Sequence, residues 1–273
     1  MQEGVVNRLG VLGWPVAHSR SPAMHNAALD SLGMRDWRYQ RLPVPPALFA
    51  QTVRALAQSG FVGANVTIPH KQAALALADS ASAVARAIGA ANTLTLAADG
   101  TIAAENTDAP GLIDAIGEPL AGKRALVLGA GGSARAAVWA LLGAGAVEVS
   151  IHNRTPERAE ALARELGARA VGRPRGADLL VNCTSVGLQS ASDELAQLGL
   201  SEGQLGEYPL VVDLVYRAGA TELLRVARSH GARTLDGLEV LVAQGALSFA
   251  LWTGRPAPLD VMHRAARAQE PSG

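Results

Sequence analysis

One segment constrains the fold more than any other: Arg124-Ala-Leu-Val-Leu-Gly-Ala-Gly-Gly-Ser-Ala-Arg135. An apolar run of alanine, valine and leucine leads into G-x-G-x-x-A, and an alanine-rich helical stretch follows directly. Gly129 permits a tight turn, Gly131 lets a phosphate approach the backbone, and the small Ala134 lets helix and strand pack closely. The N–H groups that open the helix then face an anion. Strand, loop and helix stand in the order a dinucleotide site needs, so Gly129, Ala130, Gly131, Gly132 and Ser133 are candidate cofactor contacts.

The next strand sets cofactor preference. A carboxylate at its end would accept hydrogen bonds from an unmodified ribose, but the chain reads His152-Asn153-Arg154-Thr155-Pro156-Glu157-Arg158. Arg154 and Arg158, with Asn153 and Thr155 beside them, suit a 2′-phosphate, because guanidinium groups hold phosphate through paired, charge-assisted hydrogen bonds. NADP is therefore expected over NAD.

Around this centre the chain splits into two regions. From Arg8 to about Glu105, expected strands are Arg8–Leu12, Trp37–Leu42, Phe61–Val66, Thr93–Ala97 and Thr101–Glu105. The last pair flanks Asp99-Gly100, a strong hairpin signal, so the reading is a parallel β/α layer with an antiparallel edge hairpin. Ser21 is a good N-cap with Pro22 at the first helical position, and Pro45–Ser59 reads as a helix. From about Ala121 to Gly237 the expected strands are Arg124–Leu128, Val147–His152, Leu179–Thr184, Val211–Tyr216 and Arg233–Leu235, with Pro156–Leu166 the clearest helix. Nearly continuous apolar strands alternating with helices imply a doubly wound parallel sheet covered on both faces. Ala191–Glu207 reads as a long polar connection. Leu238–Trp252 reads as an apolar helix that could close either region.

Composition excludes several classes. Twenty-four basic residues balance 24 acidic ones among 273, which leaves no net field for nucleic acid or lipid. No apolar run approaches the ~20 residues of a membrane span, and no leader is evident before Arg8. The single cysteine, Cys183, excludes an internal disulfide and a cysteine zinc site. A soluble, cytoplasmic protein is expected, without a metal.

The first region carries polar clusters at the ends of its expected elements: Gly13-Trp-Pro-Val-Ala-His-Ser-Arg-Ser-Pro-Ala-Met-His-Asn26, Asn65-Val-Thr-Ile-Pro-His-Lys71, Gly89-Ala-Ala-Asn-Thr93 and Asn106-Thr-Asp108. Singly, each has a modest explanation as a turn or a cap, and His18, His25 and His70 read as structural. Jointly, the hydroxyls, amides, one lysine and one aspartate suit a polyhydroxylated acid.

These segments, in this order, resemble the substrate-domain motifs of the shikimate dehydrogenase family, and G-A-G-G-S and N-R-T-x-x-R resemble its NADP motifs. Asp213-Leu-Val-Tyr216 and Gly237-Leu-Glu-Val-Leu-Val-Ala-Gln-Gly245 resemble its C-terminal ones. The resemblance covers nearly the whole chain, departing at Ala218, where many members have proline, and at Val240, where methionine is usual. It implies an N-terminal α/β substrate domain formed by residues 1–108 and 238–273, with the C-terminal helices returning to it. Residues 109–237 would be a Rossmann-type NADP domain. It also implies reversible NADPH-dependent reduction of 3-dehydroshikimate to shikimate. Ser19 and Ser21, with Tyr216, would hold the substrate carboxylate; Thr67, Asn92 and Gln244 would bind ring hydroxyls; Lys71 and Asp108 would serve the reacting oxygen, with Asp108 also bonding a hydroxyl. Thr184, Leu214 and Gly237 join the cofactor contacts on the same ground. A monomer or homodimer is expected. Alternatives are an enzyme of broader specificity that also takes quinate, and a non-catalytic metabolite-binding homologue.

Overall fold

The computed structural model describes residues 6–189 and 193–268. The chain divides into two compact units, Met1–Thr107 with Leu241–Gly273, and Asp108–Val240.

The first unit begins β1 (Asn7–Gly13), α1 (Ser21–Ser31), β2 (Trp37–Pro43), α2 (Phe49–Gln58), β3 (Phe61–Val66) and α3 (Lys71–Leu77). It continues through β4 (Ser80–Ala81), α4 (Ala83–Ile88), β5 (Thr93–Leu96) and β6 (Ile102–Glu105). Its sheet order is β2-β1-β3-β5-β6-β4. β2, β1 and β3 run parallel, while β5 is antiparallel to both β3 and β6.

Alternation along β1 sends Leu9 and Val11 into a cluster with Val16 and Tyr39 on one face. Leu12 joins Phe49, Val53, Phe61 and Leu94 on the other. The Asp99-Gly100 hairpin forms, but it is not the sheet edge: the two-residue β4 pairs in parallel outside β6. So short a strand carries no periodicity to read. Helix α1 also differs slightly: Ser21 is its first residue rather than its cap, and Arg20 occupies the N-cap without a side-chain bond.

The second unit contains α5 (Asp108–Ile116), β7 (Arg124–Leu128), α6 (Gly132–Gly143), β8 (Glu148–His152), α7 (Pro156–Leu166) and β9 (Arg169–Ala170). After these come β10 (Leu179–Asn182), α8 (Glu194–Gln197), β11 (Leu210–Asp213), α9 (Glu222–Ser229) and β12 (Arg233–Leu235). All strands are parallel in the order β12-β11-β10-β7-β8-β9. That order reverses between β7 and β10, the switch point at which open α/β sheets gather ligands.

Both faces of this sheet are covered, as the continuous apolar strands require. Val127, Ile151, Val181 and Val212 enter one core cluster, and Leu126, Leu128, Leu180 and Val211 the other.

The connection expected over Ala191–Glu207 is more ordered than its polarity suggests; residues 190–192 lie outside the described residues. It holds α8 and a 3-10 turn at Glu202–Glu207, and Leu195, Leu198, Leu200 and Leu205 are buried in the second core cluster. Polar residues between these leucines mask the pattern. The strand expected to reach Tyr216 stops at Asp213, because the Asp213 carboxylate accepts from Val215 N at 3.0 Å and turns the chain off the ladder.

Helix α10 (Gly237–Thr253) starts in the second unit and continues into the first, where α11 (Leu259–Arg267) packs on α1. No helix among the described residues is long and apolar enough to cross a membrane.

One buried group in the first unit makes its stability pH-dependent. His25 is fully buried, stacks on Tyr39 at 4.3 Å, and neither ring nitrogen has a hydrogen-bond partner among the described residues. Burial holds its imidazole down at about 3. Because the folded value lies below the unfolded one, this contribution is complete above about pH 6.5 and is lost as pH falls toward 3. Each pH unit in that window costs about 1.4 kcal/mol. Urea midpoints at pH 6.5 and 5 should therefore fall more for the wild type than for His25→Phe, which keeps an aromatic ring without a titrating nitrogen. Parallel decreases in the two proteins would show that His25 protonation does not contribute.

Candidate functional site

In the first unit the polar residues collect at the carboxyl ends of β1, β3 and β6, at the amino end of β5, and on the face of α10 that meets them. Ser19 and Ser21 are both buried, and Ser19 Oγ accepts from Ser21 N at 3.3 Å. Arg41 fixes the turn from below by donating to Ser19 O at 2.9 Å through Nη2. Thr67 follows β3, half-buried, and donates its N–H to Leu12 O at 2.8 Å, which ties it to the end of β1. Gly13 is obligatory there, since a Cβ would stand 2.5 Å from Thr67 Cγ2. Both loops contain a cis proline, Pro15 and Pro69.

Lys71 opens α3 and is only 8% exposed; its carbonyl accepts from Ala91 N at 2.9 Å, which sets the helix start beside the turn carrying Asn92. His70, next to it, has a structural role, as expected: it bonds Val44 O at 2.7 Å and stacks on Phe49 at 4.4 Å.

Asn92 and Gln244 are brought together. Asn92 Nδ2 donates to Gln244 Oε1 at 3.0 Å and to Thr107 Oγ1 at 2.9 Å, and Asn92 Oδ1 accepts from Thr107 N at 2.7 Å. Behind them Asn65 Nδ2 reaches Thr93 Oγ1 at 3.1 Å and Ser248 Oγ at 2.9 Å, while Tyr39 Oη donates to Asn65 Oδ1 at 2.8 Å. Asn65, Thr93, Thr107 and Ser248 were not singled out from sequence. The first three lie inside the polar segments quoted above. Ser248 carries only one signal, its spacing of four residues from Gln244 on a single helix.

The second unit holds the glycine turn. Gly129 has φ +107°, donates its N–H to His152 O at 2.8 Å, and would place a Cβ 3.3 Å from the Cys183 carbonyl. Glycine is therefore required by the protein itself at this position. A Cβ at Gly131 would meet nothing within 4 Å, so packing does not explain that glycine. Gly132 and half-buried Ser133 form the first turn of α6, next to Ala130, and Ala134 is fully buried against the sheet.

At the end of β8, Asn153 Nδ2 donates to Thr155 O at 2.8 Å and shapes the turn. Thr155 is the N-cap residue of α7 by position, without a side-chain capping bond. Arg154 and Arg158 are exposed, and no ion pair holds either one among the described residues.

The ends of β10 and β11 are tied to one another. Asn182 Oδ1 accepts from Thr184 Oγ1 at 2.8 Å, and Asn182 Nδ2 donates to Asp213 Oδ1 at 2.9 Å. Thr221 Oγ1 donates to Asp213 Oδ2 at 2.6 Å. Burial pushes the Asp213 carboxyl up to about 6 against these hydrogen bonds. Buried Glu194 pairs with Arg217 at 2.8 Å, so the loop carrying Leu214 and half-buried Tyr216 is held from both sides. Gly237 is dictated by the same loop: a Cβ there would run into the Leu214 carbonyl oxygen. Ala218 lies exposed within it and Val240 is buried in the first core cluster, so neither departure from the family pattern removes a polar group. Asp108 follows Thr107 in the chain and opens α5, half-buried.

A six-stranded parallel sheet with a glycine turn at its switch point places the second unit in the dinucleotide-binding class. Three family models match the chain. Residues 11–94 match the shikimate dehydrogenase substrate-binding domain, 112–183 shikimate/quinate 5-dehydrogenase, and 237–267 the shikimate 5-dehydrogenase C-terminal domain. Among curated proteins the chain is 48% identical to a shikimate dehydrogenase (NADP(+)) of Thermus thermophilus, over 95% of this chain and 97% of that one. It is 45% identical to that of Anaeromyxobacter dehalogenans, over 96% of each. Among solved structures, a shikimate 5-dehydrogenase from Thermus thermophilus in complex with NADP(H) and shikimate superimposes with a TM-score of 0.85 at 44% identity, covering 96% of this chain and 99% of that one. The chain belongs to the shikimate dehydrogenase family.

Proposed function

We propose that this protein is an NADP-dependent shikimate dehydrogenase, which reversibly reduces 3-dehydroshikimate to shikimate. The observation that carries the reading is the buried, interlocked set of Asn92, Thr107 and Gln244 next to the start of the Lys71 helix. Such a set recognises ring hydroxyls by geometry, because a buried amide left without its partner costs ~1–3 kcal/mol. The first unit is then the substrate domain and the second the NADP domain.

In this reading Ser19 and Ser21 hold the substrate carboxylate with hydroxyl and backbone donors, and the Tyr216 phenol adds a further donor. Thr67, Asn92 and Gln244 orient the ring hydroxyls. NADPH, when bound, supplies the hydride. The glycine turn and the α6 N-terminus suit its pyrophosphate, Arg154 and Arg158 its 2′-phosphate, and Thr184, Leu214 and Gly237 line the remainder. Reduction turns a carbonyl oxygen into an alkoxide. The Lys71 ammonium stabilises that developing charge and delivers the proton, while Asp108 orients the ammonium and bonds the neighbouring hydroxyl. The protein works in the cytoplasm, in keeping with its balanced charge and single buried cysteine, as a monomer or homodimer.

Purified protein should oxidise NADPH in the presence of 3-dehydroshikimate and reduce NADP+ with shikimate. Ligand binding without turnover in either direction would overturn the assignment.

A further inference from the structure

Ser248 lies one helical turn beyond Gln244 and is fully buried. Its hydroxyl meets four groups: Asn65 Nδ2 at 2.9 Å, Thr93 Oγ1 at 2.8 Å, Thr107 Oγ1 at 3.1 Å and Gln244 O at 3.1 Å. A serine has one proton and two lone pairs, so these contacts must be allotted. The Gln244 carbonyl can only accept and the Asn65 amide nitrogen can only donate. Ser248 therefore gives its proton to Gln244 O and takes one from Asn65.

The remaining lone pair takes the shorter hydroxyl contact, from Thr93. The Thr93 proton has two other outlets, both longer: Thr107 Oγ1 at 3.2 Å, and Asn92 Oδ1 at 3.3 Å, which already accepts Thr107 N at 2.7 Å.

With Ser248 saturated, the Thr107 proton is left with Thr93 Oγ1 at 3.2 Å, Asn92 Oδ1 at 3.2 Å and Gln244 Oε1 at 3.4 Å. Gln244 Oε1 accepts from Asn92 Nδ2 at 3.0 Å, and Gln244 Nε2 donates to Leu241 O at 2.7 Å. The opposite amide orientation would set nitrogen against nitrogen at Asn92 and oxygen against oxygen at Leu241. One Gln244 N–H remains uncommitted among the described residues.

We infer that Ser248 is a positioning residue for substrate: bonded to the Gln244 carbonyl, Asn65 and Thr93, it ties the helix turn that carries Gln244 to the sheet, so that the Gln244 amide, oriented by Asn92 and Leu241 O, meets a ring hydroxyl as a donor. The inference rests on the functional reading above. Ser248 acts only through Gln244 and touches neither substrate nor cofactor.

The test is steady-state kinetics of shikimate oxidation by NADP+ for wild type, Ser248→Ala, Gln244→Ala and the double variant. Ser248→Ala should raise KM for shikimate about tenfold, with kcat and KM for NADP+ within twofold of wild type. In the Gln244→Ala background the same change should add nothing further, because the group through which Ser248 acts is gone. A purely structural role would instead lower Tm and give the same effect in both backgrounds. Should Ser248→Ala fail to fold, Thr93→Val carries the same test: it keeps the side-chain shape, removes the proton Ser248 accepts, and should raise KM for shikimate about threefold in the wild-type background only. An unchanged KM in the folded variants, or a full additional rise in the Gln244→Ala background, overturns the role of Ser248. A wild type that turns over no shikimate overturns the functional reading and this inference together.

Discussion

Lys71→Ala is expected to lower kcat for 3-dehydroshikimate reduction by about a thousandfold, the range in which removal of a positioned general acid falls. NADP+ affinity should stay within twofold, since Lys71 is not among the groups assigned to the cofactor. The folded state should survive. Lys71 is the first residue of α3, where a cation opposes the positive end of the helix dipole, so its charge adds nothing to helix stability. A lysine only 8% exposed at such a position is held there by the surrounding loops, through Ala91 N on its carbonyl and His70 anchored on Val44 O. Single-turnover NADPH oxidation together with a thermal melt separates chemistry from folding. A Lys71→Ala protein of normal Tm retaining a tenth of wild-type turnover would remove Lys71 from the proton-transfer step.

The second large effect is on cofactor choice. Arg154→Ala should weaken NADP+ binding about 10–100-fold, the equivalent of the ~1.5–3 kcal/mol of a hydrogen bond to a charged group. Binding of NAD+, which lacks the 2′-phosphate, should change less than threefold. Arg158 lies four residues on, in the first turn of α7. Arg158→Ala should therefore act in the same direction and less strongly. Both side chains are exposed, so the NADP+ effect should shrink as salt is raised from 50 mM to 0.5 M. Isothermal titration with both dinucleotides reads it directly. Equal losses for NADP+ and NAD+ would assign Arg154 to the turn rather than to the phosphate.

Legibility of the fold followed the length of each signal. β3, β7, α7 and β12 lie where apolar runs and caps place them, because each has a full period bounded by glycine, proline or charge. β4 and β9 are two residues long and have no pattern of their own; their pairing partners create them. The segment after residue 192 reads as an open connection and is not one, since its four buried leucines reach the core from short turns rather than from a periodic helix. β11 ends early for a reason that lies in a side chain: a buried carboxylate competes for the backbone N–H that would have continued the strand.

The same division holds at the site. The glycine turn at Gly129, the arginines that follow β8 and the polar loop segments of the first region are local in the chain, so residue types and their spacing were enough to define a dinucleotide, its phosphate and a hydroxylated acid. The resemblance carried by those ordered motifs supplied the family. Which hydroxyls and amides are joined was decided by tertiary structure alone. Ser248 reaches Asn65 across 183 residues, and Gln244 reaches Asn92 across 152. Hydrogen bonds at such separations depend on how sheet and helix pack, and a buried donor takes whichever acceptor that packing delivers.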